Sequence, residues 1–156
     1  PKHYRFANYH NPIFPSCTDS TPGSNDVQVI ENGKKYWVPL FDKWSFTAVL
    51  EHHTHHRKMT YLLKNSTKDP EGTRYIGDGS WGVTNMTCNP QQIPAFIGLI
   101  EDFDKNDAPN HFWQIVLTPT QDPIKPYSIS YTAIDMAKNP VVQKTDNLNP
   151  VKDEEL

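Results

Sequence analysis

The chain has few of the features that commit a sequence to a membrane, to nucleic acid or to a disulfide scaffold. None of its apolar runs approaches the roughly 20 residues that a membrane-spanning helix needs. Its net charge is only −3 and no basic block stands out, which argues against nucleic acid and anionic membrane surfaces as partners. Two cysteines, Cys17 and Cys88, are too few for a disulfide framework. Hydrophobic residues make up 36%, low for a globular chain, and there are 14 prolines. Aromatics nevertheless reach 12%, so the shortfall signals loops and turns rather than disorder. No internal repeat is present. The start, Pro1-Lys2-His3-Tyr4, is neither an initiator methionine nor a signal peptide, from which we expect a segment removed upstream.

Several stretches carry local structure. His3 to Tyr9 alternates aromatic and polar residues as a short strand does, ending at His10-Asn11-Pro12. Ser16 to Asn25 is a polar loop with Gly and Pro. Lys34 to Trp44 places Tyr36, Trp37, Leu40, Phe41 and Trp44 at helical spacing, with Pro39 limiting its regularity. Phe46 to Leu50 (FTAVL) has the form of a buried strand, and Thr73 to Ile76 is a shorter one that runs into Gly77-Asp78-Gly79-Ser80-Trp81-Gly82. Phe112 to Leu117 and Tyr127 to Ile134 read as a late hairpin. From Asn139 the chain is polar and is expected to fray. A helix feeding a buried strand, with polar residues past the strand's carboxyl end, is the arrangement of an α/β ligand site.

Those polar residues are histidines. His52, His53, His55 and His56, four of the seven in the chain, follow FTAVL directly. Imidazole binds zinc, iron and manganese. In an extended segment His53 and His55 point to one side, presenting two nitrogens to one metal or one to each of two. The cluster also reads as a catalytic site or as a polar loop without function. His10 sits past a second short strand, which suits a shared centre. Two sequons, Asn65-Ser66-Thr67 and Asn85-Met86-Thr87, point toward a secretory route and glycosylation at Asn65 and Asn85. On that route Cys17–Cys88 is the intrachain disulfide available; two buried thiols are the alternative.

Three blocks taken together resemble a known family. FANYHNPIF from Phe6 resembles the V-x-x-H-x-P-x-Y stretch of purple acid phosphatases and related calcineurin-like metallophosphoesterases. VLEHHTHHRKM from Val49 is similar to their G-H-x-H motif, written E-N-H-D-H in several branches, and GTRYIGDGSWG from Gly72 looks like the G-T-x-Y-x-G-x-G-G/A-W-G stretch that follows. The resemblance covers roughly the first ninety residues. It implies an α/β fold forming part of a four-layer α/β/β/α sandwich with mixed sheets, over 1–138, followed by a polar tail, 139–156. It further implies a binuclear centre of Fe with Zn, Mn or Fe, hydrolysing phosphate monoesters through a metal-activated hydroxide. His10 and His53 match ligands of the divalent metal and His55 a ligand of the other. His52 and His56 match no ligand. Each is a candidate leaving-group acid or hydrogen-bond donor to a ligand, and a solvated loop histidine on the plainer reading. Asp78 fits a loop-orienting role, and His111 a strand-edge position.

The family's remaining ligands lie in an early aspartate, a G-D-x-x-Y block and a G-N-H block, and this sequence contains neither of the last two motifs. The resemblance therefore implies the C-terminal half of an acid phosphatase, inactive alone, with an N-terminal half or a second chain completing the site. A catalytically inactive structural or interaction module of an extracellular assembly is the alternative, and a zinc or copper store a third reading. Location is expected to be secreted or lysosome-like. The terminal KDEEL only loosely resembles an ER-retrieval signal, because its last four residues are Asp-Glu-Glu-Leu.

Overall fold

The computed structural model of the chain describes residues 4–16, 25–77, 97–103, 111–135 and 142–146. It is a mixed α/β structure with mixed sheets. The first strand, β1 (Phe6–Tyr9), is followed by one long helical segment made of α1 (Asn25–Asn32), a π-helical turn (Gly33–Trp37) and α2 (Val38–Lys43). Then come β2 (Ala48–Glu51), β3 (Lys58–Lys64), β4 (Thr67–Lys68), β5 (Thr73–Gly77) and β6 (Ile100–Phe103). The last three strands are β7 (His111–Pro119), β8 (Tyr127–Asp135) and β9 (Val142–Asp146).

The helix starts about nine residues earlier than its spacing predicts, at Asn25 rather than Lys34. Proline at 39 lacks an N–H and crowds the carbonyl one turn before it. The π turn lies directly upstream, where the Val38 N–H reaches back to the Gly33 carbonyl, so the helix widens instead of breaking. Val38 and Phe41 are buried, whereas Tyr36, Trp37 and Leu40 are about half exposed.

In the larger sheet the strand order is β1-β2-β5-β3-β4, with β6 also paired to β3. The strands β1, β2 and β5 run parallel, and β3 runs antiparallel to β5, β4 and β6. FTAVL behaves as a buried parallel strand should, with both faces covered. Val49 packs with Ile13, Phe14, Val38, Phe41 and Tyr75 on the helix side. Ala48, one residue earlier, packs on the other side with Met59, Ile76, Ile129 and Tyr131. Ile129 and Tyr131 belong to the second sheet, order β7-β8-β9 and wholly antiparallel. Among the described residues the layers are thus helix, mixed sheet and antiparallel sheet.

The expected hairpin is present as β7 and β8, paired from His111↔Asp135 to Pro119↔Tyr127. The stretch beyond Asn139, expected to fray, instead contributes β9, which extends this sheet. It is held by more than its ladder. Asp146 takes two hydrogen bonds from Arg74 on β5, Nε–Oδ2 at 2.5 Å and Nη2–Oδ1 at 2.7 Å. Arg74 also donates to the Thr60 carbonyl at 2.6 Å and to Glu101 at 2.7 Å, with its guanidinium carbon 5.6 Å from the Tyr131 ring centre. Burial alone would push the guanidinium down; Asp146 and Glu101 outweigh it and hold Arg74 above its ordinary value.

Candidate functional site

Parallel pairing aligns the carboxyl ends of β1, β2 and β5, so the chain leaves the sheet on one edge at Tyr9, Glu51 and Gly77. This is where α/β sheets gather ligands. The residues leaving the first two strands are His10 and His52, and a backbone bond from the His52 N–H to the His10 carbonyl (2.9 Å) ties them together. The Nε2 of His10 and the Nδ1 of His53 then lie 3.1 Å apart, with ring centres at 5.1 Å. His52 turns away and its Nε2 meets Asn8 Oδ1 at 2.6 Å.

The His-x-His unit is not extended. His53 and His55 have φ of 72° and 57°, the left-handed region that side chains other than Gly and Asn seldom adopt. The period-two argument therefore fails here. His53 reaches His10 through the shape of a tight loop, closed further by Thr54 N–H to the His52 carbonyl at 2.8 Å. His55 is half-buried in that loop, and His56 is buried at 1% exposure, which removes the solvated-loop reading for His56. Among the described residues no three His, Cys, Asp or Glu side chains converge as a metal cluster. His10 and His53 are brought together, and His55 stays a neighbour in the same loop.

Beneath the pair lies a buried ionic network that the residue pattern did not reveal. Glu51 and Lys58 are both fully buried and in direct ion-pair contact, and Lys58 also donates to the Phe14 carbonyl. Glu51 Oε1 accepts from the Tyr9 hydroxyl and from the Ile13 N–H, each at 2.7 Å. Burial pushes the Lys58 ammonium below its ordinary range, and Glu51 works against that. The available signal was one of place: single charges at the last residue of one apolar run and the first of the next. Beside His10, a groove of 420 Å³ is lined chiefly by Tyr9, Ile13, Val29, Gly33 and Trp37.

The phenols of Tyr9, Tyr75 and Tyr131 are pushed well above the ordinary value of 10.0. Burial is the main cause, and Glu51 (for Tyr9 and Tyr75) or Asp146 (for Tyr131) adds to it. Above pH of about 10 the unfolded chain releases protons that these folded phenols retain, so stability is expected to fall as pH rises past that value. An alkaline titration followed by phenolate absorbance should show these three ionising only with cooperative unfolding. If all seven tyrosines ionise near pH 10 with the circular dichroism unchanged, the burial is wrong.

Of the other expected positions, Asn65 forms with Ser66 an exposed two-residue hairpin turn between β3 and β4, both at positive φ, where Asn is favoured. Its N–H donates to Asp42 Oδ2 at 2.7 Å. His111 opens β7, an edge strand as expected, but is buried at 1% exposure. Cys17, Cys88, Asp78 and Asn85 lie outside the described residues. No helix among the described residues is long and apolar enough to cross a membrane. Compared with known proteins, the chain matches no family model, and no curated protein matches it either.

Proposed function

We propose that the chain supplies the histidine side of a binuclear metal centre that hydrolyses phosphate monoesters, with His10, His53 and His55 as ligands. The observation that carries this reading is the 3.1 Å between His10 Nε2 and His53 Nδ1 at adjacent strand ends. Two imidazole nitrogens, each about 2.0–2.1 Å from one ion, sit about 3.3 Å apart at a tetrahedral angle, and about 2.9 Å at a right angle. The donor set thus fits one edge of a first-row metal site. Iron with zinc, manganese or a second iron is the pairing implied by the resemblance. Held by these histidines, such a centre would supply Lewis acidity and a hydroxide at neutral pH.

The chain's own residues hold the two imidazoles, keep their loop strained and closed, and place the apolar groove beside His10. His52, bonded to Asn8, and buried His56 stand as candidates for protonating a leaving group or orienting a ligand. Carboxylate and asparagine ligands come, on this reading, from an N-terminal half or a second chain, completing a four-layer sandwich. A secreted or lysosome-like location and glycosylation at exposed Asn65 belong to the same proposal. The exposed Tyr36, Trp37 and Leu40 favour a second reading, an inactive phosphatase-like interaction module.

Zinc titration of the complete assembly by calorimetry, together with its p-nitrophenyl phosphate turnover, tests the proposal. His10→Ala and His53→Ala are each expected to weaken zinc binding at least about tenfold, the lower end of what losing even a ligand's hydrogen-bond partner costs. Equal zinc affinity in wild type and both variants would sink the metal reading. Metal binding without turnover in the assembly would favour the module.

A further inference from the structure

Glu51 ends β2 immediately before the His52–His53 turn, and Lys58 opens β3 immediately after the histidine loop. Gly77 lies between them in the sheet, in register with Glu51 on one side and Lys58 on the other. A Cβ at 77 would stand 2.4 Å from both Cγ and Cε of Lys58. The lysine stem therefore uses the space that a side chain at 77 would fill, and it is by crossing the glycine that its ammonium reaches Glu51 and the Phe14 carbonyl. The carboxylate's other oxygen holds Tyr9, the residue before His10, and Ile13, in the turn after it.

One buried pair thus touches both sides of the His10 turn and both ends of the loop that carries His53. That loop contains two left-handed residues, conformations that persist only where the surroundings over-determine them. The geometry points to Glu51, Lys58 and Gly77 as a positioning unit that sets the His10–His53 separation. The separation itself stands without any metal; its use in metal binding rests on the function proposed above. Arg74–Asp146 provides the contrast: a comparably buried ion pair that touches neither histidine turn.

The test uses the 156-residue chain in four forms: wild type, Gly77→Ala, Glu51→Leu/Lys58→Met, which removes the acceptor as well as the ammonium, and Arg74→Met/Asp146→Asn as a control for lost stability. In metal-free protein, a nuclear Overhauser contact between the His10 and His53 rings is expected in wild type and in the control. It should be lost in Gly77→Ala, which retains every polar group, and in the Glu51/Lys58 double variant. In the complete assembly, cobalt affinity should fall at least about tenfold with those same two substitutions and stay within about twofold with the control. The inference is overturned if wild type shows no ring contact, if the contact survives in whichever of the two variants folds, or if the control loses it equally. Ring contacts that follow this pattern, with no cobalt bound by the complete assembly, would sustain the positioning unit and reject the metal reading.

Discussion

Lys58→Met alone is expected to lower the stability of the folded chain by about 3–5 kcal/mol, the usual cost of removing one partner from a buried ion pair. Methionine fills much the same space, so the loss comes from charge rather than volume. Glu51 would be left fully buried, with its Oε2 deprived of the ammonium while Oε1 still takes hydrogen bonds from Tyr9 and Ile13. For a chain of this length the loss amounts to a fall of roughly 6–20 °C in Tm. Adding Glu51→Gln should recover most of it, since a neutral amide keeps an acceptor for Tyr9 and Ile13 without a charge to desolvate. Urea unfolding of the single and double variants measures both. If the single variant loses under about 1 kcal/mol, or the double loses more than the single, the pair is not the buried ionic contact described.

Arg74→Met should cost a similar amount, about 3–5 kcal/mol, by a different route. Arg74 joins the mixed sheet to the antiparallel one through two bonds to Asp146, and it also holds Glu101 and the Thr60 carbonyl. Without it Asp146, at 7% exposure, loses both hydrogen bonds from the guanidinium while staying buried. Release of β9 is the cheapest relief, because among the described residues that strand lies at the sheet edge and pairs with β8 alone. Amide exchange should therefore accelerate most in Val142–Asp146 and least in β2 and β5. Arg74→Lys should be intermediate, since it keeps the charge but not the two-pronged geometry. Unchanged protection in β9 would show that its ladder alone holds it.

Both predictions concern contacts that residue patterns reveal poorly. The strands β1, β2 and β5 and the β7–β8 hairpin were legible because their cause is local, whereas β3, β4, β6 and β9 were not read from the sequence. FTAVL is an unbroken run of strand-type residues, β7 is rich in aromatic and β-branched residues, and β8 alternates Tyr127, Ile129, Tyr131 and Ala133 with Ser128, Ser130 and Thr132. The siting of His10 and His52 just past strand ends was legible for the same reason, since strand limits follow from where the apolar run stops. The helix from Asn25 to Asn32 was not, because its NDVQVIEN sequence is short of apolar residues, and Ile30 is the one that reaches the core among those whose burial is described. Nor was the shape of the histidine loop. The side-chain period of two assumes extended backbone, and His53 and His55 are both left-handed.

The sequence by itself determined an α/β chain with histidines at strand ends and no apolar run of membrane length, because composition and short-range periodicity act residue by residue; mixed sheets were what the resemblance implied. The resemblance put His10 and His53 on one metal; the tertiary structure decided the loop shape by which the histidines meet. It paired His10 with His53 across 43 positions, left His52 on Asn8, and buried His56. It also converted a polar stretch beyond Asn139 into a strand and two ordinary surface residue types, Glu51 and Lys58, into a buried pair. Burial of charge depends on what the other strands bring to the same place, and here a glycine on β5 made the room.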